Sequence, residues 1–148
     1  MADSIWWREV DLAALNARHA GDINGHLGIE VTEAGSDWIR GRMPVDARTR
    51  QPMGLLHGGA SVVLAETLGS AGSNLTVDPE RFFCVGQEVN ANHLRGVREG
   101  FVTGTARAIH RGRTSQVWSI EICNDAGELT CVARLTMAVV LRRASEPG

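Results

Sequence analysis

One long segment of this chain combines small and apolar side chains with a single charge. Between Gly58 and Val77, Glu66 is the only charged residue, and the others are Gly, Ala, Ser, Thr, Val, Leu and one Asn. This composition predicts a helix from 57 to about 75 that is apolar or small on nearly every face, and a helix of that kind is buried. Such a helix therefore needs cover on all of its sides.

The carboxylate of Glu66 is the exception within that helix. Burial costs a carboxylate its hydration, so such groups are rarely fully buried without a partner. Carboxylates in such surroundings often act as acid, base or nucleophile. We therefore interpret Glu66 as a candidate catalytic residue. The alternative is a structural carboxylate that pairs with an arginine or caps a partner's backbone. The preceding segment, 51–59, supplies a turn, an amide, an imidazole and bare glycine backbone.

Length and charge limit the class of protein. The chain has 148 residues, 43% of them hydrophobic, which suits one domain over 1–148 with a polar tail at 142–148. A net charge of -2 and a sequence pI of about 6.2 argue against general nucleic-acid binding. No run of about 18 apolar residues is present, so no membrane span and no membrane partner are expected. The N-terminus lacks the basic start and apolar core of a signal peptide.

The cysteines and the basic residues each suggest a property. Cys84, Cys123 and Cys131 lie in apolar runs without metal-ligand spacing, so we interpret them as buried free thiols of a cytoplasmic protein with no metal. All fifteen basic residues are arginines. This reflects either codon bias or phosphate recognition, because the guanidinium binds phosphate through two parallel hydrogen bonds.

Hydrophobic periodicity predicts two helices and six strands. The helices are expected at 11–20 and 57–75, and the strands at 28–32, 37–43, 82–94, 101–109, 114–123 and 129–141. Turns are expected at 35–36, 95–100, 110–112 and 124–127, with an ordered loop at 44–54. This order indicates an α+β fold in which an antiparallel sheet wraps around the long helix. Because a sheet covers only one side of a helix and has edges to protect, we expect an oligomer.

Three motifs carry a resemblance to a known family over residues 12 to 140, approximately. They are Met43-Pro44-Val45-Asp46, the run from Gln51 to Glu66, and the run from Glu88 to Arg95. The chain resembles the hotdog-fold acyl-CoA thioesterases, in the glutamate-type 4-hydroxybenzoyl-CoA thioesterase branch that includes 1,4-dihydroxy-2-naphthoyl-CoA thioesterases. The resemblance implies a sheet wrapped around a central helix, with subunits paired into homodimers and often homotetramers.

The resemblance also implies roles for five residues in thioester hydrolysis. Glu66 would attack the thioester carbonyl or activate water, and both routes stay open. The Gly58 amide would bind the oxyanion, which suits the positive end of a helix. His57 would orient neighbouring groups, Gln51 would bond the thioester oxygen or the water, and Ser70 would hold the attacking group.

Helix geometry separates two of these residues. Glu66 follows His57 by nine residues, which is about 180° around a helix and roughly 13 Å along it. The two side chains therefore cannot meet on one face, and a site that uses both is expected to form between two chains. Ser70 and Ser73 follow Glu66 at i+4 and i+7, so we expect them to share its face.

The substrate expected from the resemblance is an acyl-CoA with an aromatic or medium-chain acyl group, and coenzyme A is then part of the substrate rather than a cofactor. Basic side chains on the predicted turns are expected at one edge of the sheet, where they suit its phosphates. The candidates are His93, Arg95, His110 and Arg111, within a group that also contains Arg98, Arg107 and Arg113.

The acyl group itself stays open, because Met53, Asn74 and Gln87 differ from what the resembled enzymes usually carry. An acyl carrier protein in place of coenzyme A also stays open. Two other functions are alternatives. A hotdog hydratase would need a histidine that faces Glu66 on the helix, and this helix has none. A non-catalytic acyl-CoA-binding protein would keep the fold but would have no turnover.

Overall fold

A computed structural model describes residues 3–144 of the chain. It contains three helices and six strands in the order α1 Leu12–Arg18, α2 Ile23–Leu27, β1 Glu30–Ala34, β2 Trp38–Pro44, α3 Gly58–Leu75, β3 Phe82–His93, β4 Phe101–Arg111, β5 Ser115–Asn124 and β6 Leu129–Leu141. The predicted strands and the two predicted helices are confirmed within a few residues. The short helix α2 was not predicted.

The strands form one antiparallel six-stranded sheet with the order β1-β2-β4-β5-β6-β3. β3 pairs with β6 along its whole length, from Phe82 opposite Leu141 to His93 opposite Cys131. The segment 95–100 is therefore a connection between separated strands and not a hairpin turn. β4 continues to Arg111 through an irregularity between Ala108 and His110, so the turn expected at 110–112 begins later.

Helix α3 packs against one face of this sheet. Gly41 of β2 and Gly104 of β4 pair with each other, and a Cβ on either would stand 2.8 Å from a methyl group of Leu68. On the helix, a Cβ at Gly72 would stand 2.8 Å from the Trp118 ring. Glycine on both surfaces therefore lets the helix approach the sheet closely, and Leu68 fills the space that remains.

Burial of α3 is one-sided in the single chain. Its core-facing residues are buried, namely Ala60, Ser61, Leu64, Ala65, Leu68, Gly69, Ala71, Gly72 and Ser73. Glu66, Thr67 and Ser70 are only half-buried, and Asn74 is exposed. In one chain the sheet covers one side of the helix, and residues 3–144 cover the other side only in part, through contacts such as the Asn24–Thr67 hydrogen bond.

A buried polar network anchors the C-terminal half of α3. The Oε1 atom of Gln116 accepts hydrogen bonds from Ser73 Oγ at 2.9 Å and from Trp118 Nε1 at 3.0 Å, and its Nε2 donates to Thr76 Oγ1 at 2.9 Å. Ser73 is fully buried in this network. Ser73 follows Glu66 by seven residues in the same helix, but its hydroxyl is engaged with Gln116 and not free beside the carboxylate.

The three cysteines are free thiols; Cys84 and Cys131 are buried as expected, whereas Cys123 is only half-buried. Within residues 3–144, none of the helices has both the length and the apolarity to cross a membrane.

Candidate active site

The N-terminus of α3 presents one bare backbone donor. His57 is the N-cap, and its Nδ1 accepts the N–H of Gly59 at 2.8 Å. The N–H of Gly58 donates to no residue between 3 and 144. It lies at the positive end of an 18-residue helix, where backbone donors and the helix dipole both favour negative charge. This N–H is therefore positioned to bind an oxyanion.

His93, the last residue of β3, lies directly against this donor. A Cβ at position 58 would stand 2.8 Å from His93 Nε2, so the imidazole lies in the space that the missing side chain of Gly58 leaves open. The glycine thus leaves room for the imidazole and leaves its own N–H accessible. The sequence placed His93 with the basic edge residues, and it did not indicate this contact with Gly58.

Gln51 lies in the turn that leads into α3. Its Oε1 accepts the N–H of Met53, so the Nε2 protons remain available to donate. Gln51, Gly58, His93 and Arg95 line one cleft of about 330 Å³, which we term the Gly58 cleft. Met53, a predicted pocket residue, lies outside this cleft and is 74% exposed.

Glu66 and Ser70 line a different and larger cleft of about 790 Å³, which we term the Glu66 cleft. The carboxylate of Glu66 forms no hydrogen bond and no ion pair with any residue between 3 and 144. The Ser70 hydroxyl donates only to the sulfur of Met137, at 3.6 Å. Glu66 and Ser70 are therefore both available for a ligand, a water molecule or a partner group.

The Gly58 cleft and the Glu66 cleft share no lining residue. The sequence predicted a separation of this kind for His57 and Glu66, which are nine residues apart and lie on opposite faces of the helix. A single chain therefore does not bring the oxyanion donor and the carboxylate into one site.

A polar cluster at the α2 side of the Glu66 cleft was missed by sequence reasoning. The Asn24 Oδ1 accepts a hydrogen bond from the Thr67 hydroxyl, and its Nδ2 lies 3.1 Å from His19 Nδ1. His19 Nδ1 also lies 2.8 Å from Asp22 Oδ2, and this contact holds the pKa of Asp22 below its ordinary value. The sequence offered little indication of this cluster, because α2 has only five residues, too few for a clear helical periodicity, and only Asn24 among them is buried.

Asn74 ties α3 to the start of the edge strand. Its Oδ1 accepts the N–H of Cys84 at 2.8 Å, and its Nδ2 donates to the Cys84 carbonyl at 3.1 Å. Its side chain therefore mimics a neighbouring strand at this point and closes one end of the Glu66 cleft, whose lining includes Asn74 and Cys84.

The basic residues do not gather at one edge of the chain, so this part of the prediction is wrong. Arg95 lies in the connection before β4 and forms an ion pair with Glu128 at 3.2 Å. His110 and Arg111 lie at the far end of β4, an 11-residue strand. At about 3.3 Å per residue, such a strand separates its ends by roughly 33 Å. His93 and Arg95 alone share a cleft with Gly58.

Within residues 3–144, no three His, Cys, Asp or Glu side chains lie close enough together to hold a metal ion.

Comparison with known proteins decides the family. Residues 53–131 match the model of the thioesterase superfamily. The chain belongs to the thioesterase superfamily. This thioesterase is 49% identical over 136 residues to the 1,4-dihydroxy-2-naphthoyl-CoA hydrolase of Escherichia coli strain K12, a match that covers 92% of this chain and 99% of that one. It is 48% identical over 136 residues to the proofreading thioesterase EntH of Cronobacter turicensis, covering 92% and 98%.

Solved structures agree with this assignment. The thioesterase PA1618 of Pseudomonas aeruginosa, crystallised as a mutant, superposes with a TM-score of 0.93 at 55% identity, covering 94% of this chain and 100% of that chain. The present thioesterase therefore has the hotdog fold and is a thioester hydrolase, as the resemblance implied.

Proposed function

We propose that this thioesterase hydrolyses an aromatic or medium-chain acyl-CoA to the free acid and coenzyme A, with aryl thioesters similar to 1,4-dihydroxy-2-naphthoyl-CoA as the first candidates. The name of the Escherichia coli relative supports this choice of acyl group. The observation that carries the proposal is a pair of unsatisfied groups. Gly58 offers a bare N–H and Glu66 an unpaired carboxylate, each in a cleft of the same helix.

The Gly58 N–H and the Gln51 amide would polarise the thioester carbonyl. Donors fixed before the substrate arrives stabilise the negative charge that develops on the carbonyl oxygen, and losing one such donor commonly costs 10²–10³-fold in kcat. His57 would hold this end of the helix through its hydrogen bond to the Gly59 N–H. His93 would flank the carbonyl from the strand side, because its ring lies against Gly58.

Glu66 would supply the attacking step by one of two routes. Its carboxylate could take a proton from a water molecule that adds to the carbonyl carbon. Alternatively it could add to that carbon itself and form a mixed anhydride, which water then hydrolyses. In both routes the C–S bond breaks, and the coenzyme A thiolate leaves and acquires a proton. Ser70, one helical turn beyond Glu66 in the same cleft, would hold the water or the carboxylate.

The active site would be shared between two subunits, with Glu66 and Ser70 from one and Gly58 and Gln51 from the other. The separate clefts support this proposal, as does the half-buried outer face of α3. β3 is an edge strand of the sheet and has exposed residues from Val85 to Glu88, so it offers a seam for pairing. A homodimer, or a homotetramer built from two such dimers, would follow.

The coenzyme A phosphates would meet His93 and Arg95 at the mouth of the Gly58 cleft. His110 and Arg111 would have to act on a substrate bound largely by another subunit, because they lie at the opposite end of β4. The proposed chemistry uses no metal and no cofactor beyond the coenzyme A of the substrate. The three free cysteines favour a reducing, cytoplasmic location.

Thiol release from a panel of acyl thioesters tests the proposal. Aryl, naphthoyl and straight-chain acyl-CoAs, with one acyl carrier protein thioester, would be given to the wild type and to Glu66→Gln. We expect rapid release by the wild type and a loss of at least about 100-fold in the variant, because the amide cannot accept a proton or attack. Binding of coenzyme A without release from any thioester would instead indicate a binding protein.

A further inference from the structure

The carboxylate of Glu66 lies against the backbone of the edge strand at Gly86. A Cβ built on Gly86 would overlap Glu66 Oε1 and would stand 3.4 Å from its Cδ. Gly86 has an ordinary backbone conformation, because its φ is not among the positive values. A positive φ therefore does not explain the glycine, and the nearest atoms that a Cβ at 86 would meet belong to Glu66.

The strand is irregular at the same point. The pairing of β3 with β6 shifts between Gly86 and Glu88, which leaves Gln87 as an extra residue in the edge strand. Bulges of this kind bend a strand locally and re-aim the groups around them. The bulge is therefore next to the point where Glu66 Oε1 lies against Gly86, and no hydrogen bond or ion pair from residues 3–144 holds that carboxylate.

The space behind Gly86 is closed on the core side. Leu135, which is fully buried, has a methyl group 3.9 Å from the same Cβ position. Because this buried leucine occupies the core side, we expect a methyl group at 86 to displace the carboxylate outward along the cleft. That displacement strains little, because the atom that must move is the far end of a flexible side chain.

We propose that Gly86 is a positioning residue for the hydrolysis, whose bare Cα fixes the location of the Glu66 carboxylate relative to the thioester. This inference rests on the proposed function, because it requires that Glu66 performs the attacking step. Gly86 itself touches neither water nor substrate in this proposal. It acts by defining the wall against which the carboxylate stands, in place of the hydrogen-bonding partner that the carboxylate lacks in the described chain.

The test is Gly86→Ala in the full-length protein, assayed on the best acyl-CoA substrate. A misplacement of about 1 Å can cost on the order of 100-fold in rate, so we expect kcat to fall by about 10- to 100-fold. KM should stay within about twofold, because no substrate contact is removed. The melting temperature and the oligomeric state should match those of the wild type.

The Glu66→Asp background tests whether Gly86 acts through Glu66. If Gly86 were only structural, Gly86→Ala would lower kcat equally in both backgrounds. Aspartate is shorter by one methylene, so its carboxylate withdraws from Gly86. Once the carboxylate has withdrawn, a methyl group at 86 has nothing to displace. Gly86→Ala should therefore lower kcat in the wild-type background and change it by less than about twofold in the Glu66→Asp background, a non-additivity that reports direct coupling.

Gly21→Ala is the matched control, since a Cβ there meets nothing within 4 Å, and it should leave kcat unchanged. Wild-type kcat in Gly86→Ala, an equal loss in both backgrounds, or a loss that accompanies a changed oligomeric state would overturn the inference. Glu66→Gln distinguishes failure of the proposed function from failure of the positioning role of Gly86. If that variant retains activity, the proposed function fails. If it is inactive while Gly86→Ala is fully active, only the positioning role fails.

Discussion

At the scale of single residues, burial raises the pKa of two cysteine thiols, and the lack of lysine and tyrosine makes the effect measurable. Desolvation raises the pKa of the Cys84 and Cys131 thiols above the ordinary value of 9.0. The chain has no lysine and no tyrosine. Arginine titrates only above about pH 12, so cysteine is the side chain that titrates between pH 8 and 11.

The stability of the protein should therefore fall at alkaline pH because of these two thiols. Unfolded thiols lose their protons at lower pH than the buried ones, so the contribution is fully present below the unfolded pKa and is lost as pH rises through the folded pKa. Denaturant unfolding from pH 7 to 10.5 should give a plateau and then a decline above about pH 9. The decline should be much shallower in Cys84→Ala/Cys131→Ala, and an equal slope in that variant would contradict the assignment.

At the scale of elements, α3 is held to the sheet differently at its two ends. Its N-terminus is capped by His57 and leaves Gly58 open. Its C-terminal half is locked by the buried Gln116 network and by glycine contacts such as Gly72 on Trp118. The packing of the C-terminal half fixes the position of the helix, and the open N-terminus leaves the Gly58 N–H accessible to a ligand.

Gln116→Leu should destabilise the protein strongly. The change leaves the Ser73 hydroxyl and the Trp118 indole N–H without their partner, and both residues are fully buried; the Thr76 hydroxyl keeps its bond to the Ser73 carbonyl. Unsatisfied buried groups cost about 1–3 kcal/mol each, so we expect a loss of about 2–4 kcal/mol in unfolding free energy. Ser119→Ala, on the opposite face of β5, should change it by less than about 0.5 kcal/mol. Equal effects of the two substitutions would argue against the network.

Element positions were predictable because their signals are local. The apolar run after His57, the alternation in β5 and the Asn124–Gly127 turn each act over a few residues, and the structure has elements there. The pairing of β3 with β6 was not predictable, because it joins residues far apart in the chain and depends on the strand order of the whole sheet. For the same reason the sequence grouped Arg95 with Arg111 and missed the contacts of His93 with Gly58 and of Glu66 with Gly86.

At the scale of the whole molecule, the separated clefts make activity a property of the assembly. Glu66→Gln and Gln51→Ala should each be nearly inactive alone. After the two are unfolded together and refolded, half of the dimers should be mixed, and each mixed dimer should contain one intact shared site. Activity should therefore recover to about a quarter of the wild-type value.

Refolding each variant alone is the control for that experiment, and it should give no recovery. A mixture no more active than its components would show that the site lies within one chain, because a mixed dimer would then contain a damaged residue in both sites. Size-exclusion chromatography of the mixture should give the same species as the wild type, which excludes a difference in assembly as the cause.

The sequence by itself determined the local chemistry of this protein. A helix with one carboxylate, a glycine pair at its start and a glutamine before it follow from residue order, and helix geometry alone places Glu66 and His57 on opposite faces. Only the tertiary structure decided which groups stand next to them. Strand order places His93 on Gly58 and Gly86 under Glu66, and it places Arg95 and Arg111 far apart. The physical reason is that propensity and periodicity act over a few neighbouring residues, while a site is made by side chains that folding brings together from distant strands.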